Sequence, residues 1–294
     1  MVVVFGSINL DLIFPFAALP AVGETMLSRD IRIEPGGKGA NQALAAARDG
    51  ARVVLAGAIG RDSLAEDALA LLRKDGVDLS RVIATDRATG CAAIFVDRDG
   101  RNMIGVGSGA NLAARADQVE DTLLGPAATL VLQMEVAAEE TATLIGRAHA
   151  RGARVVLNLA PAAMLETAVL RMVDVLVLNE GEAAWLAGTV GCEPDAEALR
   201  AALGMTVVRT LGEQGAEAAH PDGVTRVSAP RVDAVDTTGA GDCFTGVLAA
   251  ALDRGMALVS ALPRAAAAAS LCCTRPGSQA TMPDAVETDG FLTR

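Results

Sequence analysis

Between Thr129 and Arg209 short apolar runs alternate with helical stretches, and that alternation narrows the fold before any motif is considered. Strands are expected at Thr129 to Gln133, Arg154 to Asn158, Val175 to Leu178 and Thr206 to Arg209. Helices are expected at Glu139 to Arg151, Met164 to Met172 and Glu180 to Ala187. Strand followed by covering helix, repeated, is the pattern of a parallel sheet in an α/β fold. Ligands of such sheets bind at the carboxyl ends of the strands. Glu135, Asn158 and Asn179 fall at those ends. Any one of them serves equally well as a cap for the next helix, so the site reading rests on their recurrence at equivalent ends.

The amino-terminal half adds a first buried strand, Val2 to Phe5, followed by Gly6-Ser7-Ile8-Asn9-Leu10-Asp11. If the chain stays extended there, Asn9 and Asp11 share a side and offer an acceptor pair for sugar hydroxyls; the other reading is an Asx-rich turn. From Phe14 to Ile33 helical period is lost, and the segment is expected to form strands of a small separate sheet. Gly36-Gly37-Lys38-Gly39-Ala40-Asn41-Gln42 then runs into a helix from Ala43, with Lys38 and Asn41 as donors, although glycines there also suit a tight helix–sheet approach. Arg52 to Ile59 reads as a strand and Ser63 to Lys74 as a helix. Cys91 to Val96 and Asn102 to Val106 read as strands joined by the turn Asp97-Arg98-Asp99-Gly100, a hairpin signal. Residues of about 12–35 and 90–107 are expected to form a lid over the main sheet, with an exposed sheet surface suited to pairing with a second copy. Neither the dinucleotide fingerprint nor the P-loop spacing occurs in the chain, which disfavours a dinucleotide-dependent oxidoreductase.

Toward the carboxyl end, Thr210-Leu211-Gly212-Glu213-Gln214-Gly215 forms a loop, and β-prone segments near Ala216 to Ala219 and Val224 to Ser228 follow. Asp236-Thr237-Thr238-Gly239-Ala240-Gly241-Asp242 precedes an apolar helical run from Cys243 to Leu252, and a further helix is expected from Ala257 to Cys273. Glycines at a helix start free backbone N–H groups that attract anions. With a carboxylate on either side, the stretch suits phosphoryl transfer to a hydroxyl; read alone, it is equally a glycine turn with Asp242 as an ordinary cap.

Composition closes off other classes. The formal charge of −11 and the absence of clustered Lys and Arg argue against a nucleic-acid partner. The start of the chain has no basic segment before its apolar run, and no apolar run is long enough to span a bilayer. Five cysteines show neither a metal spacing nor a disulfide framework, as in a reducing cytoplasm, and the two histidines, His149 and His220, read as surface residues.

Taken together, Gly6-Ser7-Ile8-Asn9-x-Asp11, the Gly36 to Gln42 stretch, Met134-Glu135, Asn179-x-x-Glu182, Thr210-Leu211-Gly212 and Asp236-Thr237-x-Gly239-Ala240-Gly241-Asp242 resemble, in order and spacing, the ribokinase-like (PfkB) carbohydrate kinases over nearly the whole chain. The resemblance implies an αβα sandwich with a mainly parallel central sheet and a β lid. It implies ATP-dependent phosphorylation of a sugar hydroxymethyl group, with Asp242 as the base and the N–H groups of Gly239, Ala240 and Gly241 as the anion hole. Asn9, Asp11, Gly37, Lys38, Asn41 and Glu135 match the family's sugar contacts, and Glu135 with Asn9 and Asp11 favours D-ribose over fructose-type or nucleoside substrates. Asn179 and Glu182 match the positions that order magnesium and the ATP phosphates, and Thr210, Leu211, Gly212, Glu213, Gln214 and Gly215 match the nucleotide loop. Asp236, Thr238, Cys272, Arg275, Gly277 and Thr281 match a potassium site built mostly of backbone carbonyls. The resemblance further implies a homodimer formed through the lid. Ala266 and Pro276 depart from the family near the adenine, where His or Asn and a polar residue are usual. A nucleoside or other sugar kinase of the same family, or a sugar-binding regulator without catalysis, is the alternative.

Overall fold

The structure is a computed structural model and describes residues 1–98 and 101–293. In chain order it begins with β1 (Val2–Phe5), β2 (Asn9–Pro15), β3 (Arg32–Gly36), α1 (Lys38–Arg48), β4 (Val53–Gly60), α2 (Leu64–Lys74) and β5 (Asp78–Thr85). Next come β6 (Gly90–Val96), β7 (Asn102–Gly107), β8 (Thr129–Leu132), α3 (Ala138–Ala150), β9 (Arg154–Asn158), α4 (Thr167–Leu170), β10 (Val175–Asn179), α5 (Glu180–Val190) and α6 (Ala196–Leu203). The chain ends with β11 (Thr206–Thr210), β12 (Ala216–His220), β13 (Gly223–Val227), α7 (Ala240–Asp253), α8 (Leu258–Cys272) and α9 (Ala285–Leu292).

Nine strands form one sheet in the order β13-β12-β11-β10-β9-β8-β1-β4-β5, with every pairing parallel except those of β12 with β11 and with the edge strand β13. Strand order reverses at β1, whose neighbours are β4 and β8. That reversal opens a crevice at the carboxyl ends, where the segments after β1 and β8 diverge. β1 is buried on both faces: Val2 and Val4 enter the core shared with α1, α2, α7 and α8, whereas Val3 and Phe5 enter the core shared with α3, α5 and α6. An apolar run without alternation is what such a strand requires.

The second sheet has the order β3-β2-β6-β7. Its strand β2 starts at Asn9 and pairs antiparallel with β3 and parallel with β6, so the segment that leaves β1 carries the main sheet's crevice directly into the small sheet. Residues 16–31 form no strand, unlike the expected strand content of that stretch. β6 and β7 pair antiparallel with Val96 opposite Asn102; the Asp99 and Gly100 of the expected turn lie outside the described residues. Met103, Ile104 and Val106 on β7 and Ile31 and Ile33 near β3 are exposed apolar side chains.

The helix expected over Met164 to Met172 is reduced to the single turn of α4, Met164 and Leu165 before it being irregular. β5, α6 and α9 were not expected. In β5 the burial alternates weakly and charged residues interrupt the apolar pattern, and α6 and α9 are two-turn helices announced chiefly by their Asp caps, Asp195 and Asp284. His220, expected at the surface, closes β12 with its side chain only 9% exposed, and its Nε2 meets Thr225 Oγ1 at 2.9 Å.

Candidate active site

α7 begins at the carboxyl ends of the central strands. Gly239, its N-cap, has φ +77°, a left-handed conformation that L-side chains adopt at a cost, and this lets the chain turn sharply into the helix. α7 then packs on α1, and contact is closest at Gly246, where a Cβ would lie 2.5 Å from the Gln42 carbonyl oxygen. One helical turn earlier than Gly246, Asp242 therefore faces Asn41 and Gln42. Asn41 Nδ2 donates to Asp242 Oδ2 and Gln42 Nε2 donates to Oδ1, each at 2.9 Å. The carboxylate is 7% exposed, so this pair of neutral donors supplies its solvation. Lys38, at the start of α1, has its pKa raised, first by the charge of Asp242 and then by Glu135 and Glu182 against the opposing effect of burial. It stays protonated.

Glu135 follows β8, and its Oε2 accepts from Ser7 Oγ at 2.6 Å and from the Lys38 N–H at 3.1 Å. Asp11 on β2 is 9% exposed and its pKa rises to about 7, mainly through burial, with the charges of Glu135, Glu34 and Asp242 adding to it. A carboxyl group held in this way ionises near neutrality and gains most from a ligand that donates hydroxyl hydrogens to it. Asn9 Oδ1 accepts from Asn111 Nδ2 at 2.7 Å, and Asn111 Oδ1 in turn accepts from the Ile8 N–H at 2.9 Å. β2 is regular from Asn9 onward, so Asn9 and Asp11 do share one side of the strand.

Asn179 and Glu182 form a reciprocal capping box at the start of α5, with both bonds at 2.8 Å. The bland helix-cap reading of this pair is thus realised, and it coexists with a place in the site. Burial raises the Glu182 pKa, outweighing the Asn179 N–H and the Lys38 charge. Lys38, Asn158, Asn179, Glu182, Thr210, Gly239, Gly241 and Asp242 line a cavity of about 230 Å³. A larger cleft of about 880 Å³ is lined by Thr210, Gly212, Glu213, Gln214 and Gly215, by the 229–234 segment, and by Ala240, Gly241, Ala266, Ala269 and Ser270. Thr210 and Gly241 border both spaces, so a molecule filling the cleft reaches the mouth of the smaller cavity there. Leu211 and Pro276 are not in the wall of the cleft, whereas Ala266 is. Of the three N–H groups at the helix start, that of Ala240 already donates to the Thr237 carbonyl at 3.2 Å.

The residues at the far side of Gly239 also converge. Asp236 accepts from the Thr238 N–H at 2.9 Å and the Gly277 N–H at 3.0 Å. Burial pushes its pKa up, but these hydrogen bonds and the Arg32 charge prevail and hold it below the usual carboxylate value. Thr281 Oγ1 bonds the Gly277 and Ser278 carbonyls at 3.2 and 2.7 Å and lies 3.0 Å from Cys272 Sγ. The Arg275 side chain turns away to pair with Glu287 at 2.5 Å. Ser278 Oγ is buried, has no hydrogen-bond partner, and abuts Gly239.

Ser7, Gln42, Asn111 and Ser278 were not expected to take part. Ser7 and Gln42 stand inside the motifs and were legible as neighbours, but nothing in the sequence ties Asn111 or Ser278 to positions more than a hundred or some forty residues away.

Residues 1–285 match the model of the pfkB family carbohydrate kinases. The chain is 33% identical to a ribokinase of Haemophilus influenzae over 98% of its own length and 97% of that protein's. It is 32% identical to a deoxyribokinase of Salmonella typhi, over 99% and 98% respectively. Among solved structures, Arabidopsis thaliana ribokinase complexed with ribose and ATP superimposes with a TM-score of 0.89 at 29% identity, covering 100% of this chain and 98% of that one. The chain belongs to the pfkB family of carbohydrate kinases, and its sheet, small second sheet and crevice are those of the ribokinase fold. Its chemistry is ATP-dependent phosphoryl transfer to a sugar. Among the described residues no helix is long and apolar enough to cross a membrane.

Proposed function

We propose that this enzyme is an ATP-dependent ribokinase of the cytoplasm that converts D-ribose to ribose 5-phosphate. The observation that carries this reading is the buried Asp242 carboxylate, held by Asn41 and Gln42 in the wall of the small cavity, next in sequence to Gly241, which that cavity shares with the cleft. Asp242 accepts the proton of the sugar's primary hydroxyl as that oxygen attacks the γ-phosphorus. The bond from phosphorus to the β,γ-bridging oxygen breaks and ADP leaves. The backbone N–H groups of Gly239 and Gly241, with Ala240 if it releases Thr237, receive the charge that spreads over the transferring group, aided by the Lys38 ammonium. Asn9, Asp11, Gly37, Lys38, Asn41 and Glu135 hold the sugar, and the loop of Thr210 to Gly215 holds the nucleotide.

Asn179 and Glu182 would hold magnesium through water. Among the described residues no group of three or more acidic, His or Cys side chains encloses a metal, and magnesium keeps much of its hydration. Bound with ATP, that ion neutralises phosphate charge. For potassium, Asp236 with the carbonyls of Thr238, Gly277 and neighbouring residues is an oxygen-rich set suited to a hard cation, and the unpartnered Ser278 Oγ beside it supports the fit. Cys272, Arg275 and Thr281 contribute through the backbone of the same turn. We further propose that the small sheet is a lid over the sugar and that its exposed apolar strands, β7 above all, meet a second copy in a homodimer.

The 32% identity to a deoxyribokinase favours a second reading, with 2-deoxyribose as acceptor. A panel of D-ribose, 2-deoxyribose, fructose and adenosine, followed by ADP release with and without potassium, separates them. Ribose is expected to give the highest kcat/KM; a preference for any other acceptor rejects the ribose assignment.

A further inference from the structure

Gln42 is wholly buried on α1, and every hydrogen-bonding atom of its amide is engaged. Nε2 donates to Asp242 Oδ1 at 2.9 Å and to Asn158 Oδ1 at 3.0 Å, while Oε1 accepts from Gln133 Nε2 at 2.7 Å. Asn158 Nδ2 passes the chain on to the Val177 carbonyl at 3.2 Å. Gln133 follows β8, Asn158 ends β9 and Val177 lies in β10, so neighbouring strands of the sheet grip one amide, and that amide grips the carboxylate. Asn41, the other donor to Asp242, is tied instead to Gln279 in the turn after α8, at 3.1 Å. Gln42 has no exposed surface and its amide is fully engaged within the protein, so it does not reach a substrate.

We propose that Gln42 is a positioning residue for phosphoryl transfer, indexing the Asp242 carboxylate to the ends of β8, β9 and β10 and keeping its charge unneutralised. The proposal rests on Asp242 being the base. A neutral amide donor holds an anionic acceptor in one rotamer and favours its ionised form, yet leaves the charge available to take a proton. Alignment of a reacting group within a few tenths of an ångström carries a large share of such a rate, so loosening this grip slows the chemical step while leaving substrate affinity in place. Each carboxylate oxygen accepts more than one hydrogen bond, so the Gln42 N–H does not block the arriving hydroxyl.

The test uses Gln42→Met and Gln42→Glu in the full chain, with Asp242→Asn as reference, reading kcat and KM for ribose and ATP from about pH 5.5 to 9 together with melting curves. Gln42→Met should lower kcat roughly 10- to 100-fold with both KM values within about twofold of wild type. Gln42→Glu should match that loss at high pH, where two facing carboxylates repel. It should regain rate as pH falls, because its protonated carboxyl group donates to Asp242 Oδ1 and accepts from Gln133 as the amide does. Wild-type kcat in Gln42→Met, with Asp242→Asn inactive, overturns the positioning role and leaves the base assignment standing. Equal losses in both Gln42 variants at every pH, tracking the melting temperature, overturn it in favour of a purely structural role. Near wild-type turnover in Asp242→Asn removes the base assignment and this proposal with it.

Discussion

The two spaces that meet at Thr210 and Gly241 differ in what their helices and strand ends present: charged and amide groups in the small one, small and apolar groups in the large one. The small one presents Lys38, Asn158, Asn179, Glu182 and Asp242 beside the apolar Ala160, Val177 and Leu178, and the charge of Asp242, with those of Glu135 and Glu182, raises the Lys38 pKa against its burial. The large one combines the small or apolar Ala240, Ala266, Ala269 and Phe244 on its helical side with loop residues that include Glu213, Arg231 and Asp233. A site of fixed polar groups discriminates sharply, because a wrong ligand leaves buried groups unpaired; a wall of small apolar groups discriminates weakly. The enzyme's selectivity and its chemistry should therefore fail when the small space is altered and barely respond when the large one is.

The largest effect is expected from Asp242→Asn, which removes the proposed proton acceptor and, because its amide nitrogen cannot accept, keeps only one of the two hydrogen bonds from Asn41 and Gln42. It should cost ~10²–10⁴ in kcat, read from ADP release, with sugar affinity by calorimetry little changed. Asp11→Asn should raise the KM for the sugar by roughly 10- to 100-fold, the measure of a lost hydrogen bond to a charged group. The same substitution should stabilise the ligand-free protein. The Asp11 pKa is about 7 in the fold against 3.8 in a free chain, so the folded state binds this proton more tightly. The resulting penalty is absent below the unfolded value, grows as pH rises toward 7, and is complete above it. Melting curves should accordingly show Asp11→Asn gaining on wild type at about pH 8 and not at about pH 4, with a ceiling on the order of 4 kcal/mol.

Gly246→Ala is next. Its Cβ would meet the Gln42 carbonyl oxygen at 2.5 Å and Ala45 Cβ at 2.8 Å, both on α1. Overpacking of this kind costs roughly 1–3 kcal/mol, measurable by urea denaturation, and should slow turnover by pushing Asp242 away from its donors. The smallest change is expected in the large cleft, where Ala266→Asn should alter the KM for ATP by less than about tenfold and leave kcat alone. A large kcat effect there would break the contrast between the two spaces.

Much of this architecture was legible in the sequence because periodicity survives in it. The alternation from β8 to β11 and the unbroken apolar run of β1 report burial on one or both faces of a sheet, and burial is what sequence patterns encode. β5 was missed where charged residues interrupt the pattern, and the length of α4 was overestimated because apolar residues there pack without winding. Candidate site residues were legible where a glycine turn opens a long helix, as for Lys38, Asn41, Gly239, Gly241 and Asp242. Asn111 and Ser278 also follow glycines, Gly109 and Gly277, but no long helix starts there and they reach the site only through tertiary contact. The opposite hazard appears at Asn179 and Glu182, whose capping box is a complete explanation of their spacing and yet does not exhaust what they border.

The layer formed by α1, α7 and α8 is rich in alanine: Ala43, Ala45 and Ala46 on the first, Ala249, Ala250 and Ala251 on the second, Ala265, Ala267 and Ala268 on the third, all buried. An alanine has no rotamers to lose, so this seam is assembled at little entropic cost and offers no alternative packings into which it can relax. Asp242 and its two amide donors are mounted on the same helices. Drift in sequence here has no slack to absorb it, and adaptation to a new sugar or temperature is channelled toward the small sheet and the loops of the cleft, where side chains have room to change.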